Sequence, residues 1–321
     1  MIINIFKYLI CVLTFASLST SCSQKKHLTL KPEGYEQFQH ITIEEGKLKA
    51  VFVDNSAMEP SHRAGYNGIA ELYHIEQDST VFVPAYAGFN LEHIFSGDSL
   101  EQFFEPRINP MMFYRKSDTE VLLYQPVTPI TGVESLTEFK MVVPCYIDIK
   151  FSCILYNMDY FRHGYAGFFW ASYINNPSDR NIYFPGISEY QSKEQWISAF
   201  SEKHGLESTH KGRNDNSDFY FAPNFRIVLA NNFSSYRYTM PFYYGRFHNM
   251  ALAFFFKSSE IIRLTQSPTG GGSTNPAWDF QYLISKPKPG KKYSFKARMV
   301  YKPFVDAEDI KGEYEKWRRV F

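Results

Sequence analysis

Short runs of β-forming residues, cut off repeatedly by turn residues, constrain this chain more than any other feature. Residues 49–53, 80–83, 120–124, 140–143 and 181–184 are rich in Val, Ile, Phe, Leu and Tyr, and so are 225–229, 251–256, 279–284 and 293–301. Branched and aromatic side chains suit a pleated, half-buried surface, and the Gly, Pro, Asn and Asp clusters between the runs supply turns. Many short strands with few helices predict a mostly β fold, a large antiparallel two-sheet sandwich. Two helical patterns interrupt it. Ser192 and Gln195 resemble a capping box, with Trp196 and Phe200 on one face and Gly205 as the stop. Ile310, Tyr314, Trp317 and Phe321 fall at helical spacing, which predicts a C-terminal helix docked on a sheet. The polar stretch 207–218 reads as a mobile loop.

The ends and the charge balance limit what the chain can meet. Lys7 precedes an apolar stretch, residues 8–16, that is too short to span a bilayer, and Ser19, Thr20, Ser21 and Cys22 follow. That order resembles the bacterial lipobox, so residues 1–21 are expected to be a signal peptide and Cys22 the acylated residue. The alternative is an ordinary cleaved signal with a chance cysteine. Residues 22–30 then form a tether and 31–321 a single domain, since no linker or fixed-period repeat divides them. The residues after Cys22 lack the acidic cluster that resembles a surface-export signal in gut Bacteroidota. An outer-membrane lipoprotein facing the periplasm is therefore expected, with the cell surface left open. Without Lys7 the mature chain carries 33 basic and 33 acidic side chains, which argues against nucleic acid as a partner. Cys145 and Cys153 lie eight apart in one alternating run; about 26 Å separates them along a strand, so no bridge between them is expected.

The C-terminal third carries a family resemblance. Arg263-Leu-Thr-Gln266-Ser-Pro268, then Asn275-Pro276, then Lys288-Pro-Gly290-Lys-Lys-Tyr293 running into Val300-Tyr301, resembles the end of a galactose mutarotase-like domain, the supersandwich of aldose 1-epimerases. Runs 87–93, 104–107, 167–173, 241–246 and 275–279 are also similar to a group of exported bacterial proteins without an assigned activity. The epimerase resemblance implies a base two residues before the strand's glutamine and an acid histidine in an Asn-His-x-Tyr-Phe-Asn stretch. If Gln266 is that glutamine and contacts substrate, the base position is Leu264. The stretch from Trp170 to Asn175 puts Ala171 at the acid. Neither side chain transfers protons, so ordinary aldose epimerisation is not expected even on the shared fold.

Other residues offer chemistry of their own. Glu92, His93, Glu105 and Arg107 cluster in sequence and could supply a base, an acid and an anion clamp for a sugar acid or a glycosidic oxygen. The bland alternative is a strand with Glu92 and His93 on opposite faces and Glu105 paired with Arg107. Tyr243, Tyr244 and Arg246 form a second set, a tyrosine base activated by a cation, or else a core edge with an arginine at its rim. Trp170, Tyr173 and Trp278 could stack on pyranose rings and are equally plausible as core. His204 and His210 lack the spacing of a zinc site, no EF-hand run is present, and residues 270–272 lack the lysine of a phosphate loop. No cofactor and no metal are expected. The partners expected are a carbohydrate, suggested by the resemblance and by an aromatic content of 18%, and a membrane reached through the lipid anchor. The chain is expected to be a monomer. An enzyme acting on carbohydrate (a lyase, a hydrolase or another sugar-modifying enzyme), a non-catalytic glycan binder and a structural envelope protein all remain open.

Overall fold

Alternation of burial along each strand decides which side chains meet between sheets and which face outward. The computed structural model describes residues 28–98, 104–257 and 261–319. The expected signal peptide, Cys22 and Phe321 lie outside them. In chain order come β1 (Glu36–Phe38), β2 (His40–Glu45), β3 (Leu48–Val53), β4 (Gly68–His74), β5 (Asn90–Phe95), α1 (Glu105–Ile108), β6 (Met112–Arg115), β7 (Glu120–Gln125), β8 (Val133–Val142), β9 (Tyr146–Leu155) and β10 (Tyr165–Ala171). Then follow β11 (Ile182–Ser188), β12 (Gln191–Ala199), β13 (Thr209–His210), α2 (Val228–Asn231), β14 (Tyr236–Tyr238), β15 (Phe242–Phe247), β16 (Met250–Phe256), β17 (Ile261–Ser267), β18 (Ala277–Ser285), β19 (Lys292–Pro303) and α3 (Ala307–Arg319).

An eleven-stranded antiparallel sheet runs β1-β6-β7-β8-β9-β19-β16-β15-β11-β12, with β14 added on β11. A five-stranded sheet, β13-β17-β18-β10-β5, packs on its inner face, and β2-β3-β4 form a third sheet. Aromatic side chains fill the space between the two larger sheets. Trp170 and Phe280 stack at 5.0 Å, Phe151 of β9 meets Trp170 at 4.8 Å, and Phe256 of β16 meets Phe280 at 4.7 Å. Burying each such ring stabilises the fold by about 2–3 kcal/mol. Gly245 keeps β15 close: a Cβ there would fall 2.3 Å from the Trp278 ring. The turn at Pro289 and Gly290 closes the sandwich as expected. The Gly290 N–H donates to the Leu155 carbonyl at 2.8 Å, and β19 then pairs with β9 along its length.

The outer face of the wide sheet is covered in part by α3. Its Ile310, Tyr314 and Trp317 are buried against Phe242, Tyr244 and Phe255, which is the docked C-terminal helix that the periodicity predicts. Farther across, residues assigned to the tether join the domain. Leu30 is buried against Tyr114, Leu122, Tyr124 and Ile154. The buried Glu134 carboxylate accepts from the Thr29 hydroxyl, the Leu30 N–H and the Tyr124 hydroxyl.

Local pattern misleads at four places. The capping-like stretch at 192–199 is an edge strand, β12, because Ile197 and Ala199 bury toward β11 and tertiary packing overrides the helical signal. Residues 80–83 contribute one isolated bridge, Phe82 to Ile174, rather than a strand. Residues 225–229 cap the five-stranded sheet and lead into α2. The stretch 207–218 is anchored, for it contains β13, and Asp215 is ion-paired to the fully buried Arg263 at 2.9 Å. Cys145 and Cys153 are both buried and free.

Candidate functional site

On the outer face of the five-stranded sheet, opposite the sandwich core, the strands present polar residues to a small covered space. In β18 the aromatic Trp278, Phe280 and Tyr282 point inward, which leaves Ala277, Asp279 and Gln281 outward. In β10 Phe169 and Ala171 face out beside them. A bulge shapes β5: Phe169 pairs with His93 but Trp170 pairs with Leu91, so Glu92 is an extra residue in its strand. Leu91 and Ile94 stay in the core, while Glu92 and His93 both turn to the outer side. The regular strand that would have split them is therefore not what forms. Residues 226–229 and the Ser267–Gly270 turn complete a cavity of about 170 Å³.

Glu92 is held from several directions. The Arg107 guanidinium donates to its Oε1 at 3.1 Å and the Tyr173 hydroxyl to its Oε2 at 2.7 Å. Arg107 is itself fixed by donating Nε–H to the Gly65 carbonyl at 3.0 Å and by lying 3.8 Å above the Tyr66 ring. Burial, reinforced by the neighbouring Glu92 charge, pushes the Tyr173 phenol well above its ordinary value, so it stays a donor. The His93 ring packs on Phe104 at 4.6 Å, with Nε2 3.9 Å from Glu92. His204 Nδ1 lies 3.0 Å from the Ser267 hydroxyl.

Asp279 is the unusual member. It is 1% exposed. Its Oδ1 accepts the Ser172 N–H at 3.1 Å, and its Oδ2 has no hydrogen-bond partner among the described residues. Burial pushes its carboxyl well above the usual carboxylate range; the Ser172 bond opposes this and the Glu92 charge adds to it. A carboxyl held toward its neutral form beside a carboxylate bound to arginine is a division of labour suited to hydrogen bonding of hydroxyl groups, or to proton transfer. Among the described residues no group of three or more His, Cys, Asp or Glu is arranged to hold a metal ion.

The structure thus brings together Glu92, His93, Arg107 and Tyr173, and it scatters the rest. Glu105 is buried away from Arg107, with both carboxylate oxygens accepting backbone N–H groups from Ile130 and Thr131 at 2.6 and 3.0 Å. It therefore fixes a turn, and neither acts in the cavity nor pairs with Arg107. Tyr243 is sealed between the sheets, where burial, with the Asp279 charge, drives its phenol well above the ordinary range, and no cation activates it among the described residues. Tyr244 points the other way, into the packing under α3, and Arg246 lies exposed over Phe304 at 4.6 Å. Trp170, Trp278 and Gln266 face the sandwich interior and cannot meet a sugar, and Leu264 is buried beside them. Ala171, by contrast, lines the cavity. Asp279, His204 and Ser267 were not among the candidates read from sequence. The alternation Ala277-Trp-Asp-Phe-Gln-Tyr282 held the signal for Asp279, since it sets polar residues opposite a buried aromatic row.

No family model matches the chain, and no curated protein matches it in sequence. Solved structures do. A putative aldose 1-epimerase from Escherichia coli K12 superposes with a TM-score of 0.50 at 9% identity, covering 84% of this chain and 100% of that one. A GalM/aldose epimerase homologue from C. elegans gives a TM-score of 0.44 at 6% identity, with 84% and 100% covered. A heparan sulfate lyase HepC mutant from Pedobacter heparinus gives 0.43 at 9% identity; it covers 87% of this chain, which spans only 37% of the lyase. The first likeness supports a galactose mutarotase-like fold.

Proposed function

We propose that this protein is an exported lipoprotein, acylated at Cys22 and facing the periplasm from the outer membrane, that holds one sugar residue in the cavity between Glu92 and Asp279. The observation that carries this reading is Asp279, a residue of the cavity lining whose buried Oδ2 lacks a partner among the described residues. A neutral carboxyl there donates to a sugar oxygen, and Glu92 accepts from a hydroxyl. At about 170 Å³ the space is below the roughly 300–1,000 Å³ of drug-sized sites, which favours a single ring over an oligosaccharide. Ordinary aldose epimerisation is disfavoured, because the aligned base position, Leu264, is in the core and the aligned acid position is Ala171. Catalysis by Glu92 and Asp279 is the second reading, favoured by their contrasting environments.

Calorimetry against aldoses, amino sugars and uronic acids tests the binding. One class is expected to bind the wild type, with affinity falling at least about tenfold in Asp279→Leu and Glu92→Gln, the loss of one hydrogen bond to a charged or buried group. The reading fails if no sugar binds the folded protein, or if both variants bind as the wild type does.

A further inference from the structure

One edge of the sandwich has a different character from the cavity. Four large apolar side chains, Leu28, Val127, Ile130 and Tyr156, are between 36% and 53% exposed there. They are neighbours through the backbone. The Tyr156 hydroxyl lies 2.8 Å from the Leu28 carbonyl, and the Tyr156 N–H donates to Gly132, in the same turn as Ile130, at 2.8 Å. The Ile130 N–H is itself held by Glu105, so this turn is a fixed platform. One residue before Tyr156, Leu155 accepts from Gly290, and that contact brings in the turn carrying Lys286, Lys288, Lys291 and Lys292. All four lysines are exposed and none is in an ion pair among the described residues. Of the acidic groups near these residues, Glu134 is buried and bonded by the Tyr156 hydroxyl at 2.9 Å, Glu105 is buried and bonded by the Ile130 N–H, and Glu33 and Asp159 are exposed.

We propose that this rim docks on an anionic lipid surface, with the apolar side chains entering the headgroup layer and the lysines meeting lipid phosphates. Exposed apolar groups flanked by cations on one edge are what such a surface binds. The chain length agrees: five residues lie between Cys22 and Leu28, a reach of at most about 20 Å. In that single respect the inference rests on the lipid-anchor reading.

The test uses the mature chain with Cys22→Ser, which removes acylation, and sedimentation with vesicles of phosphatidylcholine alone or mixed with phosphatidylglycerol. Binding is expected on the mixed vesicles only, weakened by salt, and at least about tenfold weaker in Lys288→Glu/Lys291→Glu and in Val127→Asp. Equal partitioning on both vesicle types, no binding to either, or insensitivity to the lysine pair overturns the proposal. Thermal melts check that the variants fold, and if Val127→Asp does not, the lysine pair decides. Mass spectrometry of the wild-type N-terminus tests the anchor separately. A bare Cys22 removes the tether while the vesicle result still judges the rim.

Discussion

The two outer faces of the sandwich treat carboxylates in opposite ways. On the wide sheet, Glu120 lies 2.9 Å from both Lys116 and Lys140, Glu138 lies 2.6 Å from Lys150, and Asp148 is gripped by Arg298. The bonds from Lys140 and Lys116 hold the Glu120 carboxyl below its ordinary range. On the five-stranded sheet, Asp279 is pushed upward, and the Gln281 carbonyl and one Arg263 nitrogen also lack partners among the described residues. These charges on the first face are matched by opposite charges, and the buried Glu134 farther across is satisfied by hydroxyl and N–H donors. The second face is roofed by residues 204–231 and keeps hydrogen-bonding capacity in reserve. Surface built for solubility spends its polar groups on one another, whereas surface built for a ligand leaves some unspent.

Three measurements would break or sharpen this contrast. The largest effect is expected from Arg107→Met, which strands Glu92, only 9% exposed, without its cation; a loss of about 3 kcal/mol is expected in urea unfolding. A loss under about 1 kcal/mol would make the site no different from the solvated face. Asp279→Asn comes next and is read through pH. Below about pH 4 the acid is neutral in both folded and unfolded chains. As pH rises the unfolded chain releases the proton and the folded one does not, so stability falls by about 1.4 kcal/mol per unit until the raised folded value is passed. The variant is expected to lack that slope, and an unchanged slope would remove the contrast. The smallest effect belongs to Glu120→Gln. Its lowered value means that any contribution exists above about pH 4.5 and fades on acidification, and exposure of the lysine partners limits it to under about 1 kcal/mol. A larger loss would make the outer ladder a structural element in its own right.

What was legible in the sequence was what repeats or sits nearby. Apolar runs between turns announced the strands, the Pro289–Gly290 turn announced the entry to the central strand β19, and the stripe from Ile310 to Trp317 announced the docked helix. Glu92, His93 and Arg107 were suggested by closeness along the chain, and that closeness survived folding. Asp279 was hidden because 187 residues separate it from Glu92 and only pairing through β10 joins their strands. The bulge at Glu92 was equally hidden, since strict alternation would have put Glu92 and His93 on opposite faces. Tyr243 and Tyr244 misled for a related reason. β15 is covered by the five-stranded sheet on one side and α3 on the other, so both its faces look apolar and neither reads as inside.

The clasp at Glu134 says something about time as well as place. Thr29 meets Glu134 across 105 residues of intervening chain, so its pocket does not exist until β7, β8 and β9 have been made and paired. Closing so long a loop is slow, and the start of the chain must wait, unattached to its own domain, for strands synthesised much later. A domain cut short before β9 would leave that carboxylate's partners dangling, a defect that a protease could recognise before the rest of the sheet had zipped up.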